Sequence, residues 1–463
     1  MKRKLINSFI ILSASSAISK IFSILNRMLL SRLLPLEAMS LYLVIMPTLS
    51  LCLTLGQVGI PSAVFRLILH PKYKNYKVII TAIILSFFSV IVICGTLFIL
   101  SPFIAHSLLK NDYTLYPILS FLIFIPLIAI SGIIKNYYLA KGHVYVIAKS
   151  QIVEETSRLL FTYLFLETPL SSSLPFLVTI AYLSMSFGEL MSIIYLLLLS
   201  RKRYSFTPLK NINKQNLIMK DLLNISLPLT GSRLYHCFMN FLEPILLIHV
   251  LTRLGLTQNF IQDQYAILSG YVVSMLVTPT FFCTIIYRLY LPIATDDLYY
   301  HKSNTFLHLL YALLICFLIG LPFTLIFYFF PKRSLMILYN TTSGYQQLKY
   351  MSFPFLLFYL QTPLSTILQA KNKNYLRKWL KAHPHLSCVI PKYGTVCFLK
   401  YDYKIDSNTF CEKLQEETGV FFVPGCCFDV ENHLRFGLAN DPQIVKEGLE
   451  VFSNWLKKLD TSR

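Results

Sequence analysis

Apolar residues run along the first 370 positions in stretches of about twenty, the length that crosses a hydrocarbon core, with short polar segments between them. Ten such windows are predicted, at 5–30, 39–60, 78–103, 115–134, 145–166, 175–200, 222–250, 266–287, 305–330 and 347–369. Several are long enough to imply tilt or extension beyond the bilayer. The opening MKRKLINSFIILSASSA has the outline of a signal peptide, but the apolar run resumes through ISKIFSILNRMLL, so it reads as an uncleaved first span. From residue 372 the period changes. NYLRKWLKAH predicts a short helix, LSCVI and TVCFLKY two strands around PKYG, and DSNTFCEKLQEETG a helix with a capped start and a closing glycine. VFFV and HLRFGLA read as strands, and a last helix starts with Asp441 as N-cap and Pro442 in its first turn. That helix places Val445, Leu449, Phe452, Leu456 and Leu459 on one stripe. The expected fold is an all-α polytopic membrane bundle of about ten helices followed by a small α+β module.

Composition agrees with a membrane protein. The 463 residues are 55% hydrophobic and 14% charged, with a mean hydropathy of +0.58, against about 25% charged residues in globular domains. The net charge of +20 is uneven: residues 1–371 hold 29 Lys and Arg against 11 Asp and Glu, and residues 372–463 hold 13 against 11. An excess confined to the membrane part marks cytoplasmic loops. Nucleic acid is not an expected partner, because no basic helix with interleaved aromatics accompanies the charge. With the N-terminus inside, Lys2, Arg3, Lys4 and the loops 61–77, 135–144, 201–221 and 288–304 carry 17 basic residues, and the opposite loops carry six. The N-terminus is therefore expected in the cytoplasm of a plasma-membrane protein, and ten crossings return the C-terminal module there. The ten cysteines show no C-x-x-C spacing, so neither a metal site nor a disulfide framework is indicated. The basic loop RKRYSFTPLKNINKQNLIMK divides six helices from four. The expected organisation is a six-helix lobe (1–200), that loop (201–221), a four-helix partial lobe (222–371) and the module (372–463).

Ionisable residues inside spans are costly and by default mark a pathway or a pair. Lys20 and Arg27 lie seven residues apart in the first window, nearly on one helix face. Glu155 and Arg158 stand at i, i+3 in the fifth, Glu189 lies in the sixth, and Arg233 and Glu243 lie in the seventh. Lys20, Arg27, Glu155, Arg158, Arg233 and Glu243 are the candidate transport-cavity residues. The alternative is that Glu155 and Arg158 form a structural pair and Arg233 reaches an interface.

The stretch from NSFIILSASSAISK through SRLLPLEAMSLY to GIPSAVFRLI resembles the opening helices of the polysaccharide-export and stage V sporulation protein B branch of the MOP flippase superfamily. SRLLPLEAMSLY has Pro and Met where that family usually has glycines. QIVEETSRLLF is similar to its fifth-helix neighbourhood, ISLPLTGSRLYHC to the start of its seventh helix and TPLSTILQAKNK to the end of its tenth. The resemblance covers residues 1–371. It implies a MATE/MOP-like fold that translocates a lipid-linked saccharide, such as a cell-wall precursor, across the bilayer by alternating access. It also implies cavity cations, with Lys20, Arg27 and Arg233 as candidates, that attract the substrate's pyrophosphate. Family members have twelve to fourteen helices, so a second lobe of four implies impaired flipping. Cation-coupled drug export is the alternative within the same fold.

PKYGTVCFLKYDYKIDSNTFCEKLQEETGVFFVPGCCFDVENHLRFGLAN resembles the C-terminal small-domain segment of class I/II aminotransferases, the fold-type-I pyridoxal-phosphate enzymes. TGVFFVPGCCF and LRFGLA carry the likeness. By that match Arg435 is the substrate-carboxylate arginine, and a guanidinium fork fits a carboxylate bidentately; the alternative is an exposed strand arginine. Pyridoxal phosphate is implied by this resemblance alone. Such an enzyme also needs a Schiff-base lysine and a phosphate cup from a large domain that these residues do not resemble. No bound cofactor, no catalytic residue and no enzyme activity are therefore expected of the chain alone. A pyridoxal-phosphate function would require a large domain supplied in trans.

Overall fold

The computed structural model describes residues 18–19, 21–69, 73–166, 173–200, 213–300, 304–391, 394–428 and 430–461. Long helices dominate: α1 (21–33), α2 (Leu36–Gln57), α3 (Ile60–Leu69), α4 (Asn75–Phe103), the short α5 (Leu115–Leu119), α6 (Phe121–Ala140), α7 (Val144–Leu166), α8 (Leu174–Ser200) and α9 (Asn213–Arg253). They continue through α10 (Gln258–Tyr265), α11 (Val273–Val277), α12 (Thr280–Tyr299), α13 (Thr305–Phe329), α14 (Pro331–Tyr339) and α15 (Tyr345–Lys381). At 1.5 Å per residue, the 41 residues of α9 reach about twice the thickness of a hydrocarbon core.

Seven helical stretches are long and apolar enough to cross a membrane: Leu36–Leu69, Asn75–Leu108, Asp112–Ala140, Leu174–Leu199, Leu217–Arg253, Thr305–Phe329 and Tyr345–Lys381. They coincide with seven of the ten windows expected from sequence. The pair Gln258–Val277 and Thr280–Tyr299, bent at the break after Val277, becomes an eighth if it is one span. The window at 145–166 is helix α7, but Lys149, Glu154, Glu155 and Arg158 make it too charged to count as an apolar crossing. The window at 5–30 lies mostly outside the described residues. The count of ten is thus corrected to seven or eight among the described residues.

The chain divides into two compact units, one of residues 1–271 with 335–344, the other of 272–334 with 345–463. In the first, glycines let helices approach. A Cβ on Gly56 would lie 2.7 Å from Ile125, and one on Gly270 would lie 2.2 Å from Leu43. In the second, Gly320 of α13 faces the ring of Tyr359 on α15, whose hydroxyl donates to the carbonyl of Leu276 at 2.6 Å. Cys283 and Cys316 are buried with that ring, and all ten thiols are free.

The second unit also contains a four-stranded antiparallel sheet of order β1-β2-β4-β3, built from β1 (Leu386–Cys388), β2 (Val396–Tyr401), β3 (Val423–Pro424) and β4 (His433–Gly437). Helices α16 (Ser407–Thr418) and α17 (Pro442–Thr461) pack with it. Asp406 caps α16 by accepting from the Thr409 N–H at 2.9 Å, and Gly419 ends it at φ 74°. The short helix expected at NYLRKWLKAH is instead the end of α15, which runs unbroken from Tyr345 to Lys381. Its last turns belong to the module's core: Leu376 and Trp379 are buried with Leu399, Phe410, Leu434, Phe452 and Trp455. Asn372 donates to the carbonyls of Leu438 and Asn440, and Trp379 Nε1 donates to Ser453 Oγ at 2.7 Å. The strand expected at VFFV is reduced to Val423 with Pro424.

Candidate functional site

Two polar cavities lie in the first unit. The larger, of about 510 Å³, is lined by Ser19, Ser23, Gln57, Ile128, Gly132, Lys135, Gln151, Glu154, Glu155 and Glu189. The smaller, of about 200 Å³, is lined by Ser50, Leu53, Thr54, Gln57, Gly59, Ile128, Thr230 and Arg233. Gln57 and Ile128 belong to both, so the two spaces adjoin.

Helical period explains the lining. Gln151, Glu154 and Glu155 fall on one stripe of α7, Ile128, Gly132 and Lys135 on one stripe of α6, and Ser19 and Ser23 are four apart. Gln57 ends α2, where Val58 and Gly59 both take positive φ before α3 begins. A Cβ on Gly59 would lie 2.8 Å from the Ser226 carbonyl of α9, so the break needs glycine twice over. Gly132 faces the Pro61 ring, where a Cβ would come to 2.9 Å, and so brings α6 against α3. Gly188 lies against the backbone of Glu154, where a Cβ would sit 2.8 Å from its carbonyl oxygen. Small residues set helix spacing in this way, and here they bring Glu189 beside Glu154.

The polar centre is a lysine shared by two carboxylates. Lys135 Nζ donates to Glu154 Oε2 at 2.7 Å and to Glu189 Oε1 at 3.0 Å, and Glu189 is only 3% exposed. Glu155 pairs with Arg158 at 3.5 Å on the same helix. One ammonium against two carboxylates, with the third carboxylate answered by its own arginine, leaves the described lining one negative charge in surplus.

The residues picked out from sequence scatter around this centre. Glu155 lines the larger cavity and Arg233 the smaller. Arg158 backs the larger as the partner of Glu155. Arg27, on α1, lies within electrostatic reach of the phenols of Tyr42, Tyr271 and Tyr339. Glu243 is exposed on α9 and lines neither cavity. Lys20 lies outside the described residues. Of the cations implied by the resemblance, Arg233 lines the smaller cavity, and the described lining of the larger one carries Lys135 with three carboxylates. Lys135, Glu154, Gln57 and Gln151 were not foreseen. Lys135 falls one residue past an apolar window and reads as a loop charge, although the stripe with Ile128 and Gly132 marks it as helical. In the module, Arg435 is exposed on β4, its guanidinium 5.3 Å from the centre of the Phe428 ring.

Comparison with known proteins follows the same division. Residues 363–452 match the family described as aminotransferase class I and II. A pyridoxal-phosphate-dependent aminotransferase from Streptococcus suis 89-1591 is 24% identical over 25% of this chain at a TM-score of 0.21, and the chain spans 35% of that enzyme's length. Stage V sporulation protein B of Bacillus subtilis (strain 168) is 27% identical over 386 residues, covering 80% of this chain and 74% of that protein. Sporulation protein YkvU of the same organism is 24% identical over 289 residues, 60% of this chain and 62% of that one. An outward-facing multidrug resistance MATE family transporter of the MOP superfamily shares the fold, with a TM-score of 0.50 at 16% identity over 80% of this chain and 81% of that one. Residues 5–286, more than half of the sequence, match the pattern described as polysaccharide biosynthesis protein, and the chain belongs to that family.

Proposed function

We propose that the chain is a MOP-type flippase that carries a lipid-linked saccharide, such as a cell-wall or polysaccharide precursor, across the plasma membrane. The observation that carries this reading is the pair of adjoining polar cavities inside a unit of apolar helices, in a chain of the polysaccharide biosynthesis family. Arg233 offers a guanidinium to a phosphate in the smaller cavity. The N-terminus and the C-terminal module lie on the cytoplasmic side. Flipping is weak, because the end of α15 is tied into the module's core.

The module contributes no transamination of its own. Lys373, its fully buried lysine, donates to the Pro391 carbonyl at 2.9 Å inside the core, and Arg435 lies exposed on Phe428. Neither arrangement suits a group that needs an accessible amine beside a phosphate cup, so any pyridoxal-phosphate function requires a large domain in trans. Export of cationic drugs is the second reading, favoured by the acidic lining of the larger cavity.

Reconstitution with a fluorescent lipid-linked saccharide tests the first reading. We expect slow translocation in proteoliposomes, reduced at least tenfold in Arg233→Ala, and no protection of cells against cationic dyes. Dye export without translocation of the lipid-linked saccharide selects the second reading.

A further inference from the structure

We propose that the two adjoining cavities form a bipolar headgroup site, in which the larger takes sugars free of acidic substituents and prefers those bearing an amino group. This rests on the saccharide reading above and names the class of saccharide. The polar lining of the larger cavity consists of two amides, two hydroxyls, three carboxylates and one ammonium: Gln57, Gln151, Ser19, Ser23, Glu154, Glu155, Glu189 and Lys135. Amides and carboxylates spaced along helix faces accept from and bridge sugar hydroxyls. Ser19 Oγ has no hydrogen-bond partner among the described residues, although it is shielded from solvent at the cavity wall. A polyhydroxylated ligand would satisfy it.

Charge decides which sugars enter. Arg158 answers Glu155, and Lys135 is divided between Glu154 and Glu189. A uronate would bring a further negative charge against three carboxylates in a site where water does little screening. An ammonium substituent would bring a second cation to Glu154 and Glu189, which among the described residues share Lys135. The anionic end of the same molecule has a separate place. Gln57 and Ile128 border both spaces, so a phosphate beside Arg233 would leave the attached sugar facing Glu154 and Lys135. Gln57 holds that border because the positive-φ break at Val58 and Gly59 ends its helix there. Arginine in one cavity and surplus carboxylate in the next therefore sort the two ends of one ligand.

The test uses the full chain in lipid nanodiscs and three soluble disaccharides: di-N-acetylchitobiose, its de-N-acetylated diamine and digalacturonate, with affinities from competition saturation-transfer NMR. We expect the diamine to bind about tenfold more tightly than the N-acetylated sugar, a difference of about 1.4 kcal/mol, and the uronate not to compete. The Glu154→Gln/Glu189→Gln double variant, its folding checked by melting temperature, should lose the preference for the diamine over the N-acetylated sugar. Uronate binding as tight as the diamine in the unmodified chain overturns the bipolar site and leaves the flippase reading standing. An unchanged order in the double variant does the same. Binding of none of the three overturns the saccharide reading and this inference with it.

Discussion

Removing the ammonium of Lys135 would leave Glu154 and Glu189 facing each other without a counter-charge, and breaking a buried ion cluster from one side is among the most costly single changes. Lys135→Met is expected to destabilise the first unit by on the order of 3 kcal/mol, read as a lowered melting temperature of the purified protein in detergent. The neutralised triple variant Lys135→Met/Glu154→Gln/Glu189→Gln should recover most of that loss, since no unpaired charge then remains. A triple variant as unstable as the single one would show that Lys135 acts through packing of its stem rather than through its charge. Of the three members only Glu189 was legible as a charge inside a span, and the cluster was not. Glu154 and Glu189 are brought together by Gly188, whose missing Cβ makes room for the Glu154 carbonyl. A close approach of two helices leaves no signature in the period of either one.

At the level of elements, apolar windows identified helices well and their ends poorly. A window reports burial in lipid, whereas a helix continues as long as its backbone is paired. Helix α15 shows the difference: its composition turns polar near residue 371, yet hydrogen bonding runs on to Lys381 because the next turns exchange lipid for a protein core. Helix α7 shows the converse, a true helix whose Glu154 and Glu155 face a cavity and, with Lys149 and Arg158, dilute its apolar signal. The caps were easier to read, because Asp406, Gly419 and Asp441 act through local backbone chemistry. Trp379→Ala tests whether the end of α15 is part of the module. It removes a ring stacked on Phe452 and His383 and a donor to Ser453, at a cost of about 3–5 kcal/mol. Limited proteolysis should then cut within 382–461 while the helices through α13 stay intact. Resistance equal to that of the unmodified chain would mean that the sheet and α17 hold together without the helix.

For the whole molecule, the side on which the module lies depends on the parity of the crossings, which neither charge nor length settles alone. Lys135 leaves the set of loop charges once it is paired inside, so with ten crossings the loops assigned to the inner side keep 16 basic residues against six, which still favours an inside N-terminus. Seven apolar crossings alone would put the module outside. Counting the bent pair of α10–α12 gives eight, and adding the first window and α7 gives ten; both even numbers return the module to the cytoplasm. An intermediate count with only one of those additions would not. Single-cysteine variants on a background lacking the other thiols distinguish the cases. An impermeant maleimide added to intact cells is expected to label Thr342→Cys, in the turn after α14, but neither Ile212→Cys nor native Cys427. Labelling at Cys427 but not at Thr342→Cys would mean an odd number of crossings. The break after Val277 would then mark a re-entrant pair rather than a span, and the loops after it would exchange sides.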